Sequence, residues 1–276
     1  MRPLPRVLLN TAQIEAWPAW LLTAHSNRDA RILSAARWVL RRKRDGRYLA
    51  AELSQGWMPL DPHWSRAPGI DAALDAIDAR LPHAGTRDAV ALPLHALHER
   101  LDGLGLDADE YSQRIGLAMV SEPQWLAHAG FDRYRRPLWL HPDAARAWTG
   151  LRCAALRDGI VLEAISGYRS HDYQLGIFER KRARGQSVDE ILTVNAAPGF
   201  SEHHSGRALD IGAPGEPPAE ESFEHTAAFA WLRAEASDHG FVMSYPRGNP
   251  HGIVYEPWHW CYGIHNAEQR RVEMHA

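Results

Sequence analysis

Two separated segments of this chain carry residue types that can hold a metal and move a proton. The first is Ser201-Glu202-His203-His204-Ser205-Gly206-Arg207-Ala208-Leu209-Asp210. The second is Glu256-Pro257-Trp258-His259-Trp260-Cys261-Tyr262. His203, Asp210 and His259 offer imidazole nitrogen and carboxylate oxygen, a donor set suited to zinc in a hydrolytic site. Such a site keeps one position open for water and needs a carboxylate to take the proton from it. Glu256, three residues before His259, is placed for that task. His204 is an adjacent rival to His203, and spacing does not choose between them. Asp210 sits in the apolar run Ala208-Leu209-Asp210-Ile211, where a carboxylate is costly unless it has a partner, and a cation is a good one. Arg169, in Ser166-Gly167-Tyr168-Arg169-Ser170, can stabilise an oxyanion, hold a substrate carboxylate or pair with an acidic neighbour.

The elements that must position these groups can be read from periodicity and punctuation. Pro142 and Asp143 open an amphipathic helix through Leu156 that Asp158-Gly159 ends. Val161–Ser166 reads as a strand, Asp172–Arg184 as a second helix, and Arg207–Gly212 as a strand bounded by glycine. Ala227–His239 reads as a third helix, followed by a strand over Phe241–Ser244. Val254–Glu256 and Trp258–Tyr262 form a last strand, bent at Pro257. Strict alternation would send Glu256 and His259 to opposite faces, and the bend brings them to one. Cys261 is expected to be a packed thiol.

The first 115 or so residues differ in texture. Ile32-Leu33, Ala36 and Val39-Leu40, and later Ile70, Ala73-Leu74, Ile77 and Leu81, recur at three and four and predict helices. Trp17, Trp20, Trp38, Trp57 and Trp64 are expected to pack in a core. The run Arg41-Arg42-Lys43-Arg44, followed by Asp45-Gly46, reads as a solvated helix end or hairpin. The fold class is therefore α+β: a small, mainly antiparallel sheet with flanking helices carrying the metal site in residues 116–276, preceded by a mostly helical region of unknown role in residues 1–115.

Composition removes several classes of function. The 276 residues are 45% hydrophobic and 24% charged, with a net charge of -3. That charge gives no electrostatic reason to expect nucleic acid as a partner. No apolar stretch reaches the length of a membrane span. The amino terminus lacks the long apolar region of a secretory signal, so the chain is expected in the cytoplasm. Cys153 and Cys261 form no pair motif, which fits a reducing compartment.

Three patterns then coincide. Ser201, His203, Gly206, Ala208 and Asp210 meet S-x-H-x-x-G-x-A-x-D. Glu256, Trp258 and His259 meet E-x-W-H, with Tyr262 following. Ser166 through Ser170 meet S-G-Y-R-S, with Gln174 shortly after. In these, over roughly residues 120 to 265, the chain resembles the zinc D-Ala-D-Ala metallopeptidases, the VanY-type carboxypeptidases and VanX-type dipeptidases. The resemblance implies Zn2+ held by His203, Asp210 and His259, with His203 preferred over His204. It implies Glu256 as general base and Arg169 as the group that polarises the scissile carbonyl. It places Ser201, Gln174 and Tyr168 on the terminal D-alanine and Trp258 behind the metal site. The implied substrates are peptidoglycan stem peptides or muropeptides, a class that points to the cell envelope. An L,D-carboxypeptidase, a D,D-dipeptidase, an L-Ala-D-Glu endopeptidase or a non-catalytic muropeptide-binding module would share these motifs.

Overall fold

The amino-terminal region builds a sheet joined by two short helices and is not mostly helical. The computed structural model describes residues 4–79, 90–94 and 97–263. The chain divides into two units, Met1–Pro93 with Glu122–His128, and Leu94–Ser121 with Ala129–Ala276.

In the first unit β1 (Val7–Asn10), β2 (Ile14–Pro18), β3 (Trp38–Arg42), β4 (Tyr48–Leu53) and β5 (Gly56–Pro59) form an antiparallel meander in the order β5-β4-β3-β2-β1. Two short helices join it: α1 (Asn27–Ala35), capped by Ser26, and α2 (Ile70–Asp78). The expectation of a mostly helical region is corrected here. Ile32-Leu33 and Ile70-Ala73-Leu74-Ile77 do lie on helices or pack beside them, while Val39-Leu40 belongs to β3. The reason is that β3 is buried on both faces, so its apolar run shows no alternation to mark it as a strand. Leu40 and Trp38 pack with Ile14, Leu49, Ile70 and Ala73, whereas Val39 packs on the other face with Ala19, Ala36 and Ala51. Leu81 lies outside the described residues. Of the tryptophans expected in a core, Trp38 is 1% exposed and Trp20 is 40% exposed.

The basic run forms the β3–β4 hairpin. Arg42 pairs with Asp45 there, as a solvated hairpin would have it. Lys43 departs from that expectation. It turns inward and meets buried Glu122 at 2.5 Å, with Asn10 donating to the same carboxylate oxygen at 3.1 Å. The register between β3 and β4 shifts at Leu40 and Arg41, with Leu49 of β4 as the extra residue.

β6 (Trp125–Phe131) extends the first sheet beside β1, pairing Leu9 with Trp125 and Val7 with Ala127. Its last residues belong to the second unit, where β7 (Pro137–Leu140) is its neighbour. The second unit also holds α3 (Leu97–Asp102), α4 (Ala108–Ile115), α5 (Pro142–Arg157), β8 (Glu163–Ser166), α6 (His171–Ala183), α7 (Val188–Leu192), β9 (Ala208–Gly212), α8 (Ala227–Glu235), β10 (Phe241–Met243) and β11 (His259–Tyr262). Its own sheet runs β10-β11-β9-β8, antiparallel throughout. Pro142 stands in the first turn of α5, and Ala144, Trp148, Leu151 and Ala155 form its buried stripe. Ser170 caps α6 by accepting from the Tyr173 amide at 3.1 Å. A second cluster joins Leu97, Leu101, Tyr111, Ala197, Phe200 and Tyr245. Burying one such aromatic contributes roughly 1.5–3 kcal/mol. No helix among the described residues is long and apolar enough to cross a membrane.

Candidate active site

Sheet register brings two of the three candidate ligands together. β9 is the only strand of its sheet, among the described residues, that is buried at all five positions, and Asp210 stands at its centre. β11 runs antiparallel beside it with His259 directly opposite Asp210. Directly opposed residues have side chains about 5 Å apart. On the other side β8 ends with Ser166 opposite Asp210, after a bulge that begins at Ala164. The chain then passes through Gly167 to Arg169, at the same end of the sheet.

His203 arrives from a different element, a 3-10 turn over Glu202–Ser205 that precedes β9 and is closed by Gly206 at φ 69°. Three hydrogen bonds lace this turn to the Gly167–Arg169 loop. The His203 Nδ1 donates to the Gly167 carbonyl at 2.7 Å, and the Arg169 amide donates to the His203 carbonyl at 3.2 Å. The His204 Nδ1 donates to the Arg169 carbonyl at 2.6 Å. Gly167 must be glycine because a Cβ there would stand 2.8 Å from Leu138 Cδ1 and 2.9 Å from the Trp139 carbonyl.

The two adjacent histidines differ in which ring nitrogens are already engaged. His204 spends both: Nδ1 on Arg169, and Nε2 as acceptor from the Gly199 amide at 3.1 Å. His203 spends only Nδ1. Its Nε2 is buried, has no hydrogen-bond partner, and lies 3.3 Å from Asp210 Oδ1. Because Nδ1 carries the proton, Nε2 presents a lone pair. His259 is held the other way round. Its Nε2 meets Glu202 Oε2 at 2.8 Å, and its Nδ1 faces Asp210 Oδ1 at 3.2 Å. Asp210 completes the group with Oδ2 at 3.5 Å from the Arg169 guanidinium. Ligand atoms of His203, Asp210 and His259 all lie within 4.8 Å of one another, and all three residues are buried.

Glu256 reaches this cluster by a turn, which corrects the expected bent strand over Val254–Glu256. Only His259–Tyr262 is strand; Glu256 to His259 is a tight turn closed by the His259 amide on the Glu256 carbonyl at 3.1 Å. Pro257 cannot donate to a ladder, so the chain turns there. The turn sets the Glu256 carboxylate 3.8 Å from His259 Nδ1.

The electrostatics follow from burial and close charge. Burial pushes the Glu256 carboxyl up to about 7, and the negative charges of Asp210 and Glu202 add to it, against His259 and Arg169. Burial of His203, then the positive charge of Arg169, holds its pKa down at about 4 despite Asp210. For His259, burial acts downward but the two carboxylate hydrogen bonds outweigh it, and its pKa rises to about 10. The site therefore keeps one histidine neutral and surrounds the other with negative charge, a field that a cation would satisfy.

A cavity of about 330 Å³ opens on this cluster. Ser201, Gln174, Trp258, Arg169, Glu256, His203, Asp210 and His259 line it; Tyr168, half-buried, does not. Trp258 is thus on the wall of the cavity. Two residues of the site escaped the sequence reading. Glu202 orients His259, and its only sequence signal was a carboxylate beside His203. Tyr245, whose ring lies 4.7 Å from that of His259, comes from a loop with no motif. Cys261 is a buried free thiol whose pKa burial pushes up.

These residues fall within a stretch of the chain that matches known proteins. The family model described as VanY, D-alanyl-D-alanine carboxypeptidase, matches residues 137–265. The putative carboxypeptidase YodJ of Bacillus subtilis (strain 168) is 34% identical over 137 residues, which are 48% of this chain and 49% of that protein. The bifunctional D-Ala-D-Ala dipeptidase and carboxypeptidase VanXYC of Enterococcus gallinarum is 30% identical over 148 residues, 51% of this chain and 75% of that protein. The chain thus spans about half the length of the first relative and three quarters of the second. Among solved structures, the LdcB LD-carboxypeptidase shares 32% identity over 49% of this chain and 64% of its own, with a TM-score of 0.45. The match to VanXYC, and a family model that runs through all three motif segments, establish that this chain belongs to the VanY D-alanyl-D-alanine carboxypeptidase family.

Proposed function

We propose that residues 116–276 form the catalytic part of a zinc-dependent carboxypeptidase that hydrolyses the D-Ala-D-Ala bond of peptidoglycan stem peptides and releases the terminal D-alanine. The observation that carries this reading is the convergence of three buried ligand atoms within 4.8 Å, with a half-buried carboxylate 3.8 Å from one of them. Two imidazole nitrogens and one carboxylate oxygen fit zinc, and the unpartnered, buried His203 Nε2 is an atom that a metal would satisfy. His203 through Nε2, His259 through Nδ1 and Asp210 would hold it. When bound, zinc lowers the pKa of water to roughly 7 and polarises a carbonyl oxygen.

The remaining steps belong to side chains of this chain. Glu256 takes the proton from the attacking water and passes it to the nitrogen of the departing D-alanine. A carboxyl pushed up to about 7 is matched to both halves of that transfer near neutral pH. Arg169, whose Nε has no hydrogen-bond partner, supplies positive charge and a donor to the oxygen that gains charge at the scissile carbonyl. Ser201 and Gln174 on the cavity wall, with Trp258 as an apolar side and Tyr168 at the loop above Arg169, bind the peptide end. Wall precursors or wall fragments are the partners this reading requires, and the compartment follows from where those occur.

The test is a panel of stem peptides incubated with zinc-loaded protein, with products resolved by mass. Release of a single D-alanine from D-Ala-D-Ala ends, abolished by a chelator and restored by zinc, is expected. Release of free D-Ala-D-Ala, cleavage only at an L,D or L-Ala-D-Glu bond, or tight binding without any product would each replace this reading.

A further inference from the structure

One peptide group in the wall of the cavity is held at both of its polar atoms. The Ala196 carbonyl accepts from the Gln174 side-chain amide at 2.8 Å. The Ala197 amide, at the other end of the same peptide bond, donates to the Tyr111 hydroxyl at 3.2 Å. Gln174 and Ala196 both line the cavity, whereas Tyr111 does not. Tyr111 comes from α4, in a stretch that precedes the residues matched by the family model. It is 4% exposed, and its ring meets that of Phe200 edge-on at 4.8 Å. Its hydroxyl therefore reaches the peptide from behind the wall.

The two bonds are mechanically coupled. A peptide unit is planar, so its carbonyl and its N–H turn together. Ala197 is fully buried. Without the hydroxyl its N–H has no water to turn to, and leaving it unmet is costly. Turning the plane toward another acceptor carries the Ala196 carbonyl away from Gln174. The Gln174 side chain depends on that carbonyl for its orientation. With Nε2 engaged there, the buried atom left over is Oε1, which has no hydrogen-bond partner. A released amide is free to flip and to present a donor in place of that acceptor. We infer that Tyr111 is a positioning residue: it acts through the Ala196–Ala197 peptide to hold the Gln174 amide in the one orientation that leaves its oxygen unengaged. This deepens the peptidase reading and rests on it, since the substrate contact of Gln174 belongs to that reading.

The experiment is a double-mutant cycle on a stem peptide ending in D-Ala-D-Ala, with zinc-loaded protein and metal content measured in every variant. Tyr111→Phe removes one oxygen and keeps the ring. It should raise KM roughly two- to ten-fold, the range for one neutral hydrogen bond, with kcat nearly unchanged. In the Gln174→Met background the same change should move KM by less than about two-fold, because the group it acts through is gone. Replacing Tyr111 with 3-fluorotyrosine, which keeps ring and hydroxyl and weakens the acceptor, should give a smaller rise with the same pattern. That variant carries the test if Tyr111→Phe does not fold. An equal rise in both backgrounds would mean a general loosening of the wall and would overturn the inference, as would a KM that the Tyr111 changes leave alone. Calorimetric binding of the same peptide to zinc-loaded Glu256→Gln, alone and with each change, reads the coupling where no bond is cut. A wild type that releases no D-alanine then counts against the peptidase reading, and the binding ratios still judge Tyr111. Missing coupling with intact release counts against Tyr111 alone.

Discussion

At the scale of single residues, the division of labour between neighbouring groups is set by which atoms are already spent. His203 and His204 are chemically identical and adjacent, yet only His203 retains a nitrogen without a partner. Glu202 and Glu256 are both half-buried carboxylates near His259, yet Glu202 is hydrogen-bonded to the ring at 2.8 Å while Glu256 stands off at 3.8 Å. That difference predicts separable phenotypes. Glu256→Gln should retain zinc and lose turnover by about 10²–10⁴-fold, the contribution of a positioned general base; metal analysis beside kinetics checks it, and full activity would remove Glu256 from the base role. Glu202→Ala should do the reverse in part, weakening zinc affinity by about 10–100-fold because the His259 ring loses the carboxylate that orients it. Competition with a chromophoric chelator measures this, and an unchanged affinity would confine Glu202 to packing.

Helices and strands place what residues only offer. Asp210 and His259 meet because β9 and β11 pair in a register that sets them opposite, and a slip by one residue would send each to the other face. Gly167 decides how closely the loop before α6 approaches β7, and with it the carbonyl that fixes the His203 ring. Gly167→Ala is expected to destabilise the second unit by about 1–3 kcal/mol, because its Cβ meets backbone as well as a flexible side chain. A lowered urea midpoint together with weakened zinc binding is the predicted result; an unchanged midpoint would mean the loop can shift freely. The helices α5 and α6, the strands β8 and β9, and the three motif segments were legible in the sequence because caps, glycines and alternation agree there. The last strand was not fully legible. Pro257 announces a change of direction, but only hydrogen bonding shows that the change is a turn and that β11 begins at His259.

For the molecule as a whole, the site acts as a stored electrostatic imbalance that proton or metal can relieve. In the metal-free protein the His259 pKa rises to about 10 from an ordinary 6.5, so its proton binds the folded state more tightly than the unfolded one. That stability is fully present below about pH 6.5 and is lost as pH rises toward 10. Thermal melts of chelator-treated protein should therefore show Tm falling across that window. Saturating zinc should raise Tm and flatten the fall, since a ligand that binds only the folded state stabilises it by mass action. A metal-free Tm that is level from pH 6.5 to 10 would contradict the charge field described around His259. The sequence by itself determined the ingredients: which residue types can ligate and transfer protons, their motif spacing, the family they resemble, and α5, α6, α8, β8, β9 and β10 to within a few residues. Those features are local, fixed by side-chain chemistry and by short-range periodicity. Tertiary structure decided everything that depends on pairing across long separations. It left His203, and not His204, with an unengaged nitrogen, set Glu202 and Tyr245 against the His259 ring, and put Glu256 beside it. It also put Val39-Leu40 into a sheet, because a strand buried on both faces carries no alternation by which a sequence could declare it.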